Sequence, residues 1–263
     1  MTTPLQDITF SIEPNHALIT LNRPERLNAL THTTIDEIKR CVAEADASKQ
    51  VFSIVIRGNG RAFCAGDNLK GMGPSAYTGD RLNELLHASY YSLVNTLREV
   101  GKPVIVAAHG YTLGAGLEIL MAGDIKLATA DAQLGIPFAK LGIVGLHFQL
   151  VRYVGLTKAA QMIFTGDPIS GAAGLDCGLV TEVIPDEAGI DAAIAHWTAK
   201  FAQLSPFSIS SMKKTLYKSF DITHEEWFRM WMLHSMTYMN HLERGERVAA
   251  WLAARGKSDA PAA

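Results

Sequence analysis

Three short runs rich in Val, Ile and Ala, FSIVIRG at 52–58, PVIVAAHG at 103–110 and DIKLATA at 124–130, recur with helix-like segments between them. Strands of this kind that alternate with helices pair side by side only through crossovers, so the alternation restricts the chain to an α/β fold with mainly parallel strands. The intervening helices are readable. From Thr33 to Ala47, Ile35, Ile38, Val42 and Ala45 fall three and four residues apart. Thr33 is placed to cap that helix, and Asp36 and Glu37 to complement its dipole. A second helix is expected around residues 80–100, and a short buried one in GLEILMAGD at 116–124. Ahead of these, ITFSIEPNHALITL at 8–21 reads as a hairpin split by Glu-Pro-Asn-His.

Past Thr157 the reading is a helix at 158–164, a small one near 171–177, the strand TEVIP, and helices from Asp186 onward. Residues 1–200 thus form an α/β core and 201–263 a helical region. In that region WFRMWMLHSMTYM at 227–239 sets Trp227 and Trp231 four apart, with Phe228, Met232 and Met236 at the same interval. This reads as a core or subunit-contact helix, with a ligand-lining face as the alternative.

Composition removes several functions. Of 263 residues, 48% are apolar and 19% charged, which fits a globular chain and not a disordered one. Lys and Arg number 24 against 26 acidic residues, so no cationic excess exists for a nucleic-acid backbone. No apolar stretch is long enough to span a membrane, and MTTPLQDITF has no leader-like pattern, so a cytoplasmic protein is expected. Cys41, Cys64 and Cys177 are widely spaced and suggest neither a disulfide framework nor a metal site.

The chain has no GxSxG, no GxxxxGK[ST], and no GxGxxG after a strand. What it has is a pair of Gly-rich turns, RAFCAGDNLKG at 61–71 and HGYTLGAGLE at 109–118, each following a strand-like run. Glycines there let backbone N–H groups approach a ligand, and two such loops can together form an oxyanion hole. Either loop alone also reads as ordinary strand-to-helix punctuation. Glu118 follows Gly114-Ala115-Gly116 and stands among Leu117, Ile119, Leu120 and Met121. A carboxylate in such a run loses water, which favours general acid or base work; stabilising the helix dipole is the competing role.

These features resemble the crotonase, or enoyl-CoA hydratase/isomerase, superfamily. The resemblance covers LITLNRPERLNAL, RGNGRAFCAGDNLK, KPVIVAAHGYTLGAGLEILMAGDIKLAT, FTGDPISGAAGLDCGLVTEVIP and ERGERVAAWLAAR, in the family's order. It implies a crotonase-like spiral of ββα and βαβ units with a helical C-terminal region, assembled as trimers or hexamers. It also implies an acyl-CoA thioester substrate, stabilisation of its enolate, and no cofactor beyond the coenzyme A of the substrate. The oxyanion-hole N–H groups fall on Asp67 and Ala115, and the catalytic glutamate on Glu118. Ala65, Gly66, Asn68, Leu69, Lys70 and Gly114, with Arg23, Arg26 and Leu27, fall in the CoA- and substrate-binding stretches; Lys213 or Lys214 either meets a CoA phosphate across a subunit contact or is a solvated helix residue. The family's hydratases carry a second glutamate where this chain has Phe138. That substitution suggests a bulky or aromatic acyl group. The turn after LGIV is altered and contains His147, which either replaces the missing acid or is structural. A hydro-lyase is expected first; isomerisation, C–C cleavage or hydrolysis, and a non-catalytic binding protein of the same fold are the alternatives.

Overall fold

The structure is a computed structural model that describes residues 4–68, 90–144, 148–239 and 242–258. It consists of two compact units, residues 1–203 and 204–263.

The first unit opens with the expected hairpin, β1 (Ile8–Ile12) and β2 (His16–Leu21), paired antiparallel with Ile8 opposite Leu21. Helix α1 (His32–Ala47) buries Ile35, Ile38, Val42 and Ala45. Its cap is Thr31 rather than Thr33: Thr31 and Thr34 exchange side-chain to backbone hydrogen bonds in a capping box. Glu37 does not serve the helix dipole. It is buried and accepts the N–H groups of Gln6 and Asp7, at 2.7 and 3.0 Å, pinning the chain ahead of β1.

A repeated unit follows, made of one strand in a large sheet, one strand in a small sheet, and a helix. The first repeat is β3 (Ser53–Gly58), β4 (Ala62–Cys64) and α2 (Tyr90–Glu99). The second is β5 (Val104–Ala108), β6 (Tyr111–Leu113) and α3 (Ala115–Ala122). The third is β7 (Ile125–Thr129), β8 (Gln133–Gly135) and the single-turn α4 (Phe138–Leu141). Then come α5 (Phe148–Thr165), β9 (Ile169–Ser170), α6 (Gly171–Asp176), β10 (Glu182–Ile184) and α7 (Ile190–Ala202). The large sheet has the order β1-β2-β3-β5-β7-β10, parallel throughout except at the hairpin, and the small sheet has the order β4-β6-β8-β9. This is the spiral of ββα units that the resemblance implies.

Every residue of β5 is buried, as a central strand covered on both faces requires. The helix expected at 158–164 is longer, because α5 starts at Phe148 and turns through a kink at Gly155, whose φ of 73° and ψ of 166° are closed to other residues. Of the helix expected at 80–100, the part from Tyr90 is described; the remainder lies outside the described residues, as do Leu69, Lys70 and His147. Among the described residues no helix is long and apolar enough to cross a membrane.

The second unit contains α8 (Pro206–Lys218), α9 (His224–Met239) and α10 (Leu242–Ser258). Lys213 is buried on α8 and Lys214 exposed. No residue of α9 is buried. Trp231 and Met236 stand 46% and 62% exposed, so the apolar stripe at 227–239 is not a core face of this chain.

Candidate active site

The three repeats place equivalent corners side by side. Strands β4, β6 and β8 are neighbours in the small sheet and run parallel. The residues just past their carboxyl ends, Ala65–Asn68, Gly114–Ala115 and Ile136–Phe138, therefore meet at one edge, the position where open α/β sheets bind ligands.

The first corner is held by the segment ahead of α1. Ala65 N–H donates to the Leu27 carbonyl at 3.0 Å, Leu30 N–H to Gly66 at 2.8 Å, and Asn68 N–H to Leu30 at 3.0 Å. This is a parallel bridge between Leu30 and Asp67. Successive N–H groups of an extended chain point opposite ways, so that of Asp67 points away from Leu30. Gly66 adopts φ +98°, and a methyl group added there would lie 3.0 Å from the Leu113 carbonyl oxygen and 3.5 Å from the Ala115 nitrogen. The two Gly-rich loops thus touch, and glycine at 66 is what lets them do so.

The second corner is tighter than the sequence suggested. Tyr111–Leu113 is strand β6, not part of a turn, and the reversal is made by Gly114 alone, at φ 53° and ψ −120°. Ala115 is then the first residue of α3, where an N–H has no acceptor within the helix. A side chain at Gly116 would collide with the Cys64 carbonyl. All eight residues of α3 are buried, including Glu118, whose N–H closes the first helical turn onto Gly114 at 3.1 Å.

The third corner brings Phe138. Its ring lies over Gly114: a methyl group on that glycine would sit 3.0 Å from Phe138 Cε1. A cavity of about 40 Å3 is enclosed by Ala65, Gly66 and Asp67 from the first corner, Gly114 from the second, and Pro137, Phe138, Leu141 and Ile143 from the third. The Phe138 ring is part of that lining and packs against Gly114. Glu118 stands one helical turn on from Gly114 and is not part of that lining.

Arg23 is held by the scaffold: its Nε lies 3.2 Å from Asp7 Oδ1 and its Nη1 donates to the Ala29 carbonyl at 2.7 Å. Arg26 is exposed, and Leu27 takes a left-handed φ of 52° beside Ala65. Asn28 was not singled out from the sequence and holds this loop together. It is buried at φ 53°, donates to the Asn59 and Ala62 carbonyls at 2.9 and 2.8 Å, and accepts the Arg23 N–H at 2.8 Å. Its only sequence signal is that Asn tolerates a left-handed backbone.

Behind α3 lies a charged group that spacing could not reveal. The Tyr153 hydroxyl donates to the Met121 carbonyl at 2.6 Å, and Lys126 Nζ stands 4.8 Å from the Tyr153 ring centre. Burial pushes the Tyr153 hydroxyl up, Arg98 draws it down, and the charges of Asp124 and Glu118 push it up again. Glu118 is therefore within electrostatic reach of Tyr153. Burial also pushes the Asp67 carboxyl up to about 6, opposed by His32. The neighbouring Cys64 thiol is pushed up to about 12 by its own burial, with the Asp67 charge adding to the rise, and is thereby kept neutral. Among the described residues no cluster of three or more His, Cys, Asp or Glu could hold a metal ion.

Residues 12–255 match the family model described as enoyl-CoA hydratase/isomerase. The chain belongs to the enoyl-CoA hydratase/isomerase family. It is an enzyme of that family. It is 36% identical over 216 residues to a probable enoyl-CoA hydratase of Bacillus subtilis, covering 81% of this chain and 82% of that one. It is 30% identical over 221 residues to the 2,3-dehydroadipyl-CoA hydratase of Escherichia coli, covering 83% and 84%. Among solved structures, an enoyl-CoA hydratase subunit from Geobacillus kaustophilus superposes with a TM-score of 0.87 at 26% identity, over 96% of this chain and 97% of that one.

Proposed function

We propose that this family member is an enoyl-CoA hydratase-type hydro-lyase that adds water to a short α,β-unsaturated acyl-CoA and uses Glu118 as its water-activating carboxylate. The observation that supports the reading is the contact between two corners, in which Gly66 packs against Leu113 and Ala115 while Asp67 and Gly114 line one small cavity. Two donors fixed where a thioester oxygen gains negative charge stabilise the enolate, and removal of one such donor costs about 10²–10³-fold in rate. The Ala115 N–H adds the positive end of the α3 dipole.

The acyl-CoA enters along Arg26, Leu27 and the Ala65–Asn68 loop, with Leu69 and Lys70 continuing that stretch in sequence. Its carbonyl rests between the two donors, and its short acyl chain lies against Phe138, Leu141 and Ile143. Coenzyme A is part of the substrate, and the proposed addition needs no further cofactor. Glu118 takes a proton from water as the oxygen attacks the β-carbon. The named activities of the Bacillus subtilis and Escherichia coli relatives, both hydratases, support this choice over isomerisation or C–C cleavage.

Incubating the purified enzyme with aliphatic and aromatic enoyl-CoAs in deuterated water, followed by mass spectrometry, tests the reading. A water adduct of short enoyl-CoAs is expected. A one-deuterium shift without water addition indicates isomerisation or enolate exchange, and a shortened acyl-CoA indicates C–C cleavage; either overturns the hydro-lyase.

A further inference from the structure

Water addition needs two proton movements, one off the water and one onto Cα, and Phe138 leaves Glu118 without the partner carboxylate that the family pattern supplies. Of the described residues lining the cavity, Asp67 alone carries a carboxyl group. That group belongs to the same residue whose N–H the proposed reading aims at the thioester oxygen, and this residue lines the cavity together with Phe138. Its backbone is fixed by the bridge to Leu30, and Gly66 beside it is packed against the second loop, so the side chain has a defined origin. We propose that the Asp67 side chain is the second proton carrier of the site and delivers the proton to Cα. This rests on the hydro-lyase reading for its direction, although not for its chemistry.

In the step, water oxygen bonds to the β-carbon, Glu118 receives the water proton, and the C=C electron pair moves onto the thioester oxygen. That pair then returns to form the Cα–H bond with the proton of Asp67, leaving its carboxylate. Glu118 releases its proton to solvent, Asp67 takes one from solvent, and the net change is the addition of one water. The described titratable groups facing Asp67 are His32 from the start of α1 and Cys64 from β4. Burial outweighs the His32 charge, so Asp67 holds its proton to about pH 6 while an ordinary carboxyl has lost it. An acid near neutral pH is what proton delivery requires.

Crotonyl-CoA hydration and α-proton exchange of butyryl-CoA in deuterated water, each followed across pH 5–8, test the proposal. In the unaltered enzyme the kcat for hydration falls as pH rises through about 6, because the acid form is used; exchange rises over the same interval, because the carboxylate then takes the proton. Asp67→Asn leaves the backbone N–H in place, so KM stays within about threefold while kcat drops about 10²-fold or more and the pH-dependent limb disappears. Asp67→Ala recovers activity with added formate. Hydration that survives Asp67→Asn with the same pH profile, or a flat profile in the unaltered enzyme, overturns the proposal and leaves the hydro-lyase reading intact. Exchange that depends on Asp67 without any hydration overturns the hydro-lyase reading and upholds Asp67. Neither hydration nor exchange by the unaltered enzyme overturns both.

Discussion

Burial lifts the Asp67 carboxyl from 3.8 to about 6, so the folded chain holds that proton more tightly than the unfolded chain does. The sign follows: stability attributable to this group is greatest at low pH and is lost as pH rises from 3.8 through about 6. Asp67→Asn should therefore raise the melting temperature at pH 8 by about 2–4 °C, the change that ~1 kcal/mol produces in a chain of this size, and raise it less at pH 4. Differential scanning calorimetry at both pH values checks this; equal shifts at the two would show that the carboxyl is not penalised. Phe138 sets the opposite kind of limit, one of volume. Phe138→Ala opens the cavity against Gly114 and is expected to raise kcat/KM for hexenoyl-CoA relative to crotonyl-CoA by about 10-fold or more, since a methylene in an apolar pocket is worth ~1–3 kcal/mol. An unchanged ratio would place the acyl chain elsewhere.

The elements that make the site are the ones least visible in sequence. The short runs rich in Val, Ile and Ala announced β3, β5 and β7, and the run 116–122, apolar apart from Glu118, announced α3, because burial writes a pattern into several consecutive residues. Strands β4, β6 and β8 have three residues each, too few to show any period, and β6 was hidden inside what read as a Gly-rich turn. They are strands because their neighbours in the small sheet complete their hydrogen bonds, which is tertiary information. The two loops and Glu118 were legible for a different reason: glycines at forced backbone positions and a carboxylate in an apolar run are local anomalies. Asn28 and Tyr153 were not legible, since their partners lie far along the chain. The element-level test exploits the position of Ala115 at the first residue of α3. Proline is accepted there, and Gly114 at ψ −120° lies outside the helical region that a following proline excludes. Ala115→Pro removes the N–H without breaking the helix and should lower kcat by about 10²–10³-fold with far-ultraviolet circular dichroism unchanged.

At the scale of the whole molecule, the second unit leaves Phe228, Trp231, Met232 and Met236 on α9, and Trp251 and Leu252 on α10, partly exposed. Large side chains in such numbers mark a surface made for association, and we propose a homotrimer or hexamer, in keeping with the assembly that the resemblance implies. Light scattering should give a multiple of three times 28.5 kDa at micromolar concentration, and a stable monomer would remove that assignment. The most direct test of the central claim is the initial rate of crotonyl-CoA hydration by the unaltered enzyme and by Glu118→Gln, measured side by side as loss of the enoyl-thioester absorbance. Removing a positioned acid or base while keeping its size should lower kcat about 10²–10⁴-fold with little change in KM; a Glu118→Gln enzyme that hydrates crotonyl-CoA as fast as the unaltered one would contradict the account.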